Sequence, residues 1–265
     1  MKKALVLLLI LIIAVSLFMF TGCKNQDEKG KLYVYTESGF PPFEYPSGND
    51  IVGVDIEIAK TIADRLGMEL VVKDVNFEAI LAALTDDNAI GLAGLTITPD
   101  REEEVDFSIP YFEAVQYVVY KEGTLTLDEN SMVSGAQLKN KVIGTQSGTT
   151  GDIIADEESA EGGLFEGATV KGYDNALIAA QDIGNGCEVV VIDRHTALQI
   201  EANNPNLNLK ANQIAQLDSE SYGIAVKKAN KKLLYAINWI LQELIEEGKI
   251  VEWFNEHSVS PAEEE

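Results

Sequence analysis

Apolar residues recur with two different periods along this chain, and the two periods alternate. Residues 31–35 alternate as a half-buried strand does, whereas Ile58, Ile62 and Leu66 recur every four residues, as on one face of a helix. The first part of the chain is therefore predicted to hold strands at residues 31–35, 69–73 and 90–93 and helices at residues 53–66 and 77–84. This order of elements is typical of a parallel sheet covered by helices.

The same alternation returns in the middle of the chain, which predicts a second α/β lobe. The elements expected there are strands at residues 141–143, 169–173 and 188–192 and helices at residues 149–155, 175–183 and 195–201. Two strand-like segments, residues 117–120 and 222–226, flank this block and are predicted to be the crossovers between the lobes. We therefore expect lobe 1 to comprise residues 31–119 plus 220–258 and lobe 2 to comprise residues 120–219.

The first residues carry the pattern of an export signal, because Lys2 and Lys3 precede an apolar run over residues 4–20. The run also approaches the length that spans a bilayer, so an uncleaved anchor is the alternative. Thr-Gly-Cys at residues 21–23 resembles the end of a bacterial lipobox, although Phe20 stands where an aliphatic residue is usual. This favours a signal peptide over residues 1–22 and a lipid on Cys23, which would anchor the rest of the chain outside the cytoplasm.

Composition narrows the classes of function. A formal net charge of −23 argues against binding to nucleic acid or docking on anionic lipid. Residues 23–30 are polar and predict a tether, and residues 259–265 form an acidic tail. The only cysteine besides Cys23 is Cys187, which predicts a buried structural thiol rather than a disulfide framework. With two distant histidines, the sequence predicts neither a metal site nor a cofactor.

Polar and aromatic residues follow the predicted strands and begin the helices of both lobes. In open α/β sheets, ligands bind outside the carboxyl ends of the strands. The candidate ligand-binding residues are Glu37, Phe40, Phe77, Gly94, Thr96 and Arg101 in lobe 1, and Gln146, Thr149, Thr150 and Asp193 in lobe 2. The guanidinium of Arg101 can hold a carboxylate with two parallel hydrogen bonds, and Asp193 can pair with an ammonium group. These two charges together fit a free amino acid.

Each candidate also has a structural explanation. Arg101 lies beside three glutamates and can form a surface ion pair, while Asp193 can cap the helix that follows it. Phe40 and Phe77 can belong to the core. The placement of these residues at matching strand ends favours the common binding site.

Four segments together resemble the polar amino-acid substrate-binding proteins of ABC importers, the bacterial extracellular solute-binding proteins of family 3. They are Phe-Pro-Pro-Phe-Glu-Tyr at residues 40–45, Gly-Val-Asp-Ile-Glu-Ile-Ala-Lys at residues 53–60, Ala-Gly-Leu-Thr-Ile-Thr at residues 93–98 with Arg101, and Val-Asp-Phe-Ser at residues 105–108. The resemblance implies a two-lobed, periplasmic-binding-protein-like α/β fold of type II with two hinge strands. It further implies a monomer that binds a free polar or basic amino acid and delivers it to ABC permease subunits without being an enzyme.

The resemblance also implies a role for every candidate except Gln146. Arg101 takes the ligand carboxylate, Asp193 and Gly94 take the amine, and Glu37, Phe40 and Phe77 face the side chain; the threonines Thr96, Thr149 and Thr150 assist at the carboxylate, and Thr96 also at the amine. The chain departs from the family pattern at Val54 and at Cys187-Glu188. It also departs at Glu37, a position where an aspartate is frequent in the family. Because Glu37 is one methylene longer, arginine, lysine, ornithine, histidine and glutamine all stay open as ligands.

Two other classes of function remain as alternatives. A few relatives of this fold are small dehydratases, and His195 close to Asp193 raises the idea of an acid–base pair. Residues so close on a strand-to-helix turn point in different directions, and no nucleophile motif accompanies them, so binding is favoured over catalysis. A sensor that presents a bound amino acid to a partner receptor is the third class, and the sequence does not separate it from transport.

Overall fold

The structure, a computed structural model, describes residues 30–258. Its strands are β1 (Lys31–Thr36), β2 (Tyr45–Ser47), β3 (Asp50–Val52), β4 (Glu69–Asp74), β5 (Ala89–Gly91), β6 (Val105–Phe107), β7 (Phe112–Ala114), β8 (Gln116–Lys121), β9 (Val133–Ser134), β10 (Val142–Gln146), β11 (Thr169–Tyr173), β12 (Val189–Asp193), β13 (Leu209–Ala215), β14 (Glu220–Tyr222) and β15 (Ala225–Lys227). Its α-helices are α1 (Val54–Leu66), α2 (Ile80–Ala83), α3 (Pro99–Glu104), α4 (Thr150–Ser159), α5 (Ala176–Gln181), α6 (Arg194–Asn203), α7 (Lys231–Glu246) and α8 (Lys249–Ser258).

Several predictions about the ends of the chain lie outside these described residues. They are the signal peptide at residues 1–22, the lipidated Cys23, the tether up to residue 29 and the acidic tail at residues 259–265. Within residues 30–258, no helix combines the length and the apolar character needed to cross a bilayer.

The sheet of lobe 1 has the strand order β4-β1-β5-β15-β6, in which β1 is parallel to both of its neighbours. Alternation along β1 places Leu32 and Val34 in the core under α1, α7 and α8. The four-residue spacing of Ile58 and Ile62 on α1 fills the same core. Gly67 ends α1 in the left-handed conformation that favours glycine.

The sheet of lobe 2 has the strand order β11-β10-β12-β8-β13-β9 and is covered on both faces. On β12, Val190 packs with α5 and α6, whereas Val191 packs in the core that contains Ala155 of α4. Burial of both faces explains why this strand is a continuous apolar run rather than an alternating one. The carboxyl ends of β10 and β12 lead directly into candidate ligand-binding residues.

The prediction of the crossover segments was wrong in detail. Strand β8, which includes residues 117–120, lies inside the lobe 2 sheet between β12 and β13, because Val118 and Val119 pack into the cores on its two faces. Strand β15 likewise belongs to the lobe 1 sheet. The chain crosses at β7 and β14, which pair antiparallel as a two-stranded hinge ribbon, and of the predicted crossover residues only Tyr222 lies in it. The lobe 2 sheet therefore takes in Gln116, ahead of the predicted boundary at residue 120.

Strand β13 and the hairpin of β2 and β3 are among the elements that the sequence analysis does not predict. Strand β13 completes the lobe 2 sheet beside β8, with Leu209 and Ala211 buried in the core. Strands β2 and β3 form a hairpin whose turn includes Gly48 at a positive φ of 62°. The Gly-Asn dipeptide at this turn is a signal that the sequence carries and that can identify a hairpin.

Candidate functional site

The candidate ligand-binding residues lie together around one cavity between the two lobes. The space among these residues, part of it open to solvent, amounts to about 300 Å³. Its wall consists of Ala93 and the full predicted set, which is Glu37, Phe40, Phe77, Gly94, Thr96, Arg101, Gln146, Thr149, Thr150 and Asp193. The strand ends of both sheets thus meet at one place, as the sequence predicts.

Arg101 is held rigidly in this wall and is only 7% exposed. It lies in α3, which begins with Thr98 as a cap: the Thr98 hydroxyl accepts the Arg101 backbone N–H at 3.2 Å. Its guanidinium donates to the carbonyl of Thr96 at 2.9 Å and, across the lobes, to the carbonyl of Gly148 at 3.0 Å. The Phe77 ring lies 5.4 Å from the guanidinium carbon. Among the salt bridges within residues 30–258, Arg101 forms none with its neighbours Glu102, Glu103 and Glu104.

Burial lowers the pKa of Arg101, whereas the charges of Glu220 and Asp193 act in the opposite direction. The guanidinium stays cationic at any physiological pH, since its ordinary pKa is so high. The cavity therefore contains a permanent positive charge fixed by hydrogen bonds to both lobes.

Asp193 brings a carboxylate to the same cavity from the end of β12 and is 6% exposed. It stands at the cap position of α6, but its side chain makes no capping hydrogen bond. The Tyr222 hydroxyl donates to Asp193 Oδ1 at 2.7 Å instead. Burial, together with repulsion from Glu220, raises the pKa of Asp193 to about 7. A cation placed beside this carboxylate would favour its ionised form.

A second carboxylate, that of Glu37, follows β1 and lies in another part of the wall. The Gln146 side-chain amide, from lobe 2, donates to Glu37 Oε2 at 3.1 Å. Burial raises the pKa of Glu37, and the charge of Asp74 adds to the increase. Phe40 lies in the same wall and stacks on Phe43 with ring centroids 5.4 Å apart. This part of the cavity combines an apolar face with a negative charge.

Gly94 brings the backbone close to Phe40. It has a φ of +54°, and a Cβ there would lie 2.5 Å from the Phe40 ring. Its N–H donates to Asp55 Oδ2 at 2.9 Å, which fixes the peptide. Only glycine fits this position without displacing the ring.

The three threonines face the cavity with their hydroxyl protons already donated to protein groups. Thr149 donates to the carbonyl of Gln146 at 2.8 Å and caps α4 by accepting the Asp152 N–H at 3.3 Å. Thr96 and Thr150 both donate to Glu220 Oε2, at 2.8 Å and 2.6 Å. Because a hydroxyl carries one proton, these side chains present acceptors, rather than donors, to a ligand. The donors left for a carboxylate are Arg101 and the backbone N–H groups at the start of α4.

Three residues beside the cavity were not predicted as site residues: Gln116, Glu220 and Tyr222. Gln116 Nε2 donates to Glu220 Oε1 at 3.0 Å, and Tyr222 holds Asp193. Glu220 and Tyr222 are two positions apart on one strand, so their side chains leave the same face. Tyr222 begins a segment that the sequence does predict as a strand, and extending that strand by two residues would have identified Glu220.

A rigid cation from lobe 1 and a carboxylate from lobe 2, facing one small cavity between hinged lobes, define a ligand-binding protein of two-lobed architecture. Residues 32–258 match the model of the bacterial extracellular solute-binding proteins, family 3, and the chain belongs to this family. The predicted family and the two-lobed type II fold are thereby confirmed.

Individual relatives agree with this assignment. The arginine-binding extracellular protein ArtP of Bacillus subtilis is 35% identical over 163 residues, which cover 59% of this chain and 62% of ArtP, less than two thirds of its length. The ABC transporter glutamine-binding protein GlnH of the same organism is 30% identical and is covered over 100% of its length by 99% of this chain.

Among solved structures, an ancestral arginine-binding protein bound to arginine matches with a TM-score of 0.75 and 36% identity. The match covers 87% of this chain and 99% of that protein. These relatives are named as binding proteins, so the chain is a polar amino-acid solute-binding protein, and the expectation that it is not an enzyme is confirmed.

Proposed function

We propose that this protein binds one free amino acid with a cationic side chain, arginine first, and presents it to the membrane subunits of an ABC importer. The observation that carries the proposal is the shared cavity of Arg101 and Asp193, which come from different lobes. The ligand carboxylate binds the Arg101 guanidinium and the first backbone N–H groups of α4. The ligand ammonium binds Asp193 and the acceptor oxygen of Thr96. Each end of the ligand thus contacts both lobes and favours the closed arrangement.

The charges of the cavity support a cationic side chain. Two carboxylates, Glu37 and Asp193, and one guanidinium, Arg101, line the wall. A bound zwitterion neutralises Arg101 and Asp193 and leaves Glu37 without a cation. A guanidinium meets a carboxylate with two parallel hydrogen bonds, and the Phe40 ring offers a face for its flat surface. The names of ArtP and of the arginine-bound ancestral protein agree with this preference.

Export and anchoring belong to the same proposal. The family description, extracellular solute-binding proteins, supports a location outside the cytoplasm. We propose that Cys23 carries the lipid, that residues 24–30 form the tether, and that the protein delivers its ligand as a monomer. Intact-mass measurement of the protein from bacterial membranes tests the lipid: a diacylglyceryl group on a chain that begins at Cys23 is expected, and an unmodified Met1 contradicts it.

Calorimetry tests ligand binding. The purified protein is unfolded and refolded to remove any bound ligand, then titrated with arginine, lysine, ornithine, histidine, glutamine and glutamate. We expect arginine to bind most tightly and glutamate to give no heat. Arg101→Ala should abolish binding, whereas Arg65→Ala should not, because Arg65 pairs with Glu243 on the surface at 2.9 Å. Absence of heat from every amino acid, or unchanged binding by Arg101→Ala, refutes the proposal.

A further inference from the structure

Glu220 lies on the hinge ribbon and contacts both lobes through one carboxylate. Its Oε2 accepts the hydroxyl of Thr96, from lobe 1, at 2.8 Å and the hydroxyl of Thr150, from lobe 2, at 2.6 Å. The two hydroxyl oxygens are only 3.3 Å apart. Oε1 accepts the side-chain amide of Gln116, the first residue of β8. A single side chain thus joins the lobes at the position where the chain crosses between them.

The contact with Thr96 stays with lobe 1. Thr96 forms a β-bridge with Tyr222, and Ile97 N donates to the carbonyl of Ser221 at 2.9 Å, so the loop after β5 is fixed to β14. Thr150 instead begins α4, whose Ala155 packs in the core of lobe 2. Opening of the lobes therefore separates Thr150 from Glu220 and leaves Thr96 in place. The hydrogen bond between Thr150 and Glu220 belongs to the closed form.

Glu220 differs from Arg101 and Gln146, whose side chains also connect the two lobes. Arg101 and Gln146 also make hydrogen bonds across the lobes, but they line the cavity and face the ligand. Glu220 lines the adjoining cleft, which shares Thr96 and Thr150 with the cavity. We therefore expect its contact with Thr150 to persist when a ligand is bound. A short hydrogen bond from a hydroxyl to a carboxylate is also among the stronger kinds.

We propose that Glu220 is a positioning residue: a hinge-borne latch that stabilises the closed form through the Thr150 hydroxyl and thereby slows ligand release. Its effect on release rests on the proposed amino-acid binding, whereas its effect on closure does not. The negative charge of Asp193 lies close enough to Glu220 to be repelled. A ligand ammonium on Asp193 removes that repulsion, so the latch is strongest in the liganded protein.

A double-mutant cycle tests the latch with the full-length protein. Glu220→Gln removes the charge, and Thr150→Val removes the hydroxyl at nearly constant shape. Stopped-flow dissociation of arginine should be about fivefold faster in Glu220→Gln, a loss in the range of one hydrogen bond. In the Thr150→Val background, the same substitution should change the rate by less than about twofold, because its partner is already absent.

Glu113→Gln is the matched control. Glu113 lies on β7 of the same ribbon and accepts the Ser221 hydroxyl at 2.8 Å, a hydrogen bond that stays within the ribbon. This variant removes an identical charge from the hinge and should release arginine at the wild-type rate. Equal acceleration by Glu113→Gln and Glu220→Gln, or an effect of Glu220→Gln that is unchanged in Thr150→Val, refutes the latch.

Closure of the lobes is measured separately in the ligand-free protein. Failure of the latch can then be distinguished from failure of the proposed amino-acid binding. Fluorescence energy transfer between dyes on Asp64→Cys in lobe 1 and Glu161→Cys in lobe 2, both exposed positions, reports the closed fraction. The same cycle should show that Glu220 and Thr150 are coupled in favour of closure. If no amino acid binds, the coupling between the two substitutions in the closed fraction still tests the latch. Additive effects of Glu220→Gln and Thr150→Val on the closed fraction would refute it.

Discussion

At the scale of single residues, the proposed role of Asp193 in ligand binding makes ligand affinity depend on the protonation of its carboxyl group. Its pKa is raised to about 7, first by burial and then by the charge of Glu220. An ammonium ion pairs with the ionised carboxylate only, so a ligand that binds below pH 7 must displace a proton. The raised pKa of Glu37 acts in the same direction for a cationic side chain.

Ligand affinity should therefore fall as the pH decreases from 8 to 5.5, approaching about tenfold per pH unit well below the pKa of Asp193. Calorimetry at pH 7 in two buffers with different ionisation enthalpies should detect proton release on binding. Asp193→Asn should bind weakly and lose most of this pH dependence. Affinity that rises on acidification, or binding without proton release at pH 7, is incompatible with this role of Asp193.

At the scale of elements, the loop after β5 is shaped by the close approach of Gly94 to Phe40. Its left-handed backbone and the hydrogen bond to Asp55 place the peptide against the aromatic ring. The hairpin between β2 and β3 contains Gly48 at a similar φ of +62°, but a Cβ there meets nothing within 4 Å. Comparing the same substitution at Gly94 and Gly48 therefore separates the effect of backbone strain from the effect of steric contact.

Gly94→Ala should destabilise the protein by about 2 kcal/mol more than Gly48→Ala, because it adds overpacking to the same backbone strain. Urea unfolding of the ligand-free variants measures the difference. Gly94→Ala should also weaken arginine binding, because the displaced Phe40 ring lines the cavity, whereas Gly48→Ala should bind normally. Equal destabilisation by the two substitutions contradicts the steric argument.

The elements also show how far the sequence can predict this structure. The spacing of residues 58, 62 and 66 predicts α1. The polar and aromatic residues at strand ends and helix starts predict the ligand-binding residues of the cavity wall. Both predictions follow from local periodicity. The position of the crossover could not be predicted in this way, because the apolar run of β8 is equally compatible with a hinge and with a buried strand. Glu220 lies two residues ahead of the predicted strand, and its contact with Thr150, 70 positions away in sequence, leaves no local pattern.

At the scale of the whole molecule, buried carboxyl groups couple stability to pH. Asp55 accepts hydrogen bonds from the Tyr111 hydroxyl and the Gly94 N–H, and burial raises its pKa to about 6. Burial and the neighbouring Asp55 also raise the pKa of Glu44, and within residues 30–258 neither Glu44 oxygen has a hydrogen-bond partner. With Asp193, three groups hold protons in the folded state that the unfolded chain has released.

The ligand-free protein should therefore be most stable near pH 4 to 5 and lose stability as the pH rises through 6 and 7, since the folded state then binds more protons than the unfolded state. The loss between pH 5 and 8 should be on the order of a few kcal/mol, measured by urea unfolding. Glu44→Gln should flatten the curve at high pH. Stability that increases steadily from pH 5 to 8 contradicts this account.

The central claim is that Arg101 and Asp193 hold the two charged ends of the same amino acid. A crystal structure of the protein with arginine tests it most directly. We expect the ligand carboxylate within hydrogen-bonding distance of the Arg101 guanidinium and the ligand ammonium within the same distance of the Asp193 carboxylate. A ligand that contacts only one of these side chains, or that binds outside the cavity between the lobes, would contradict the claim.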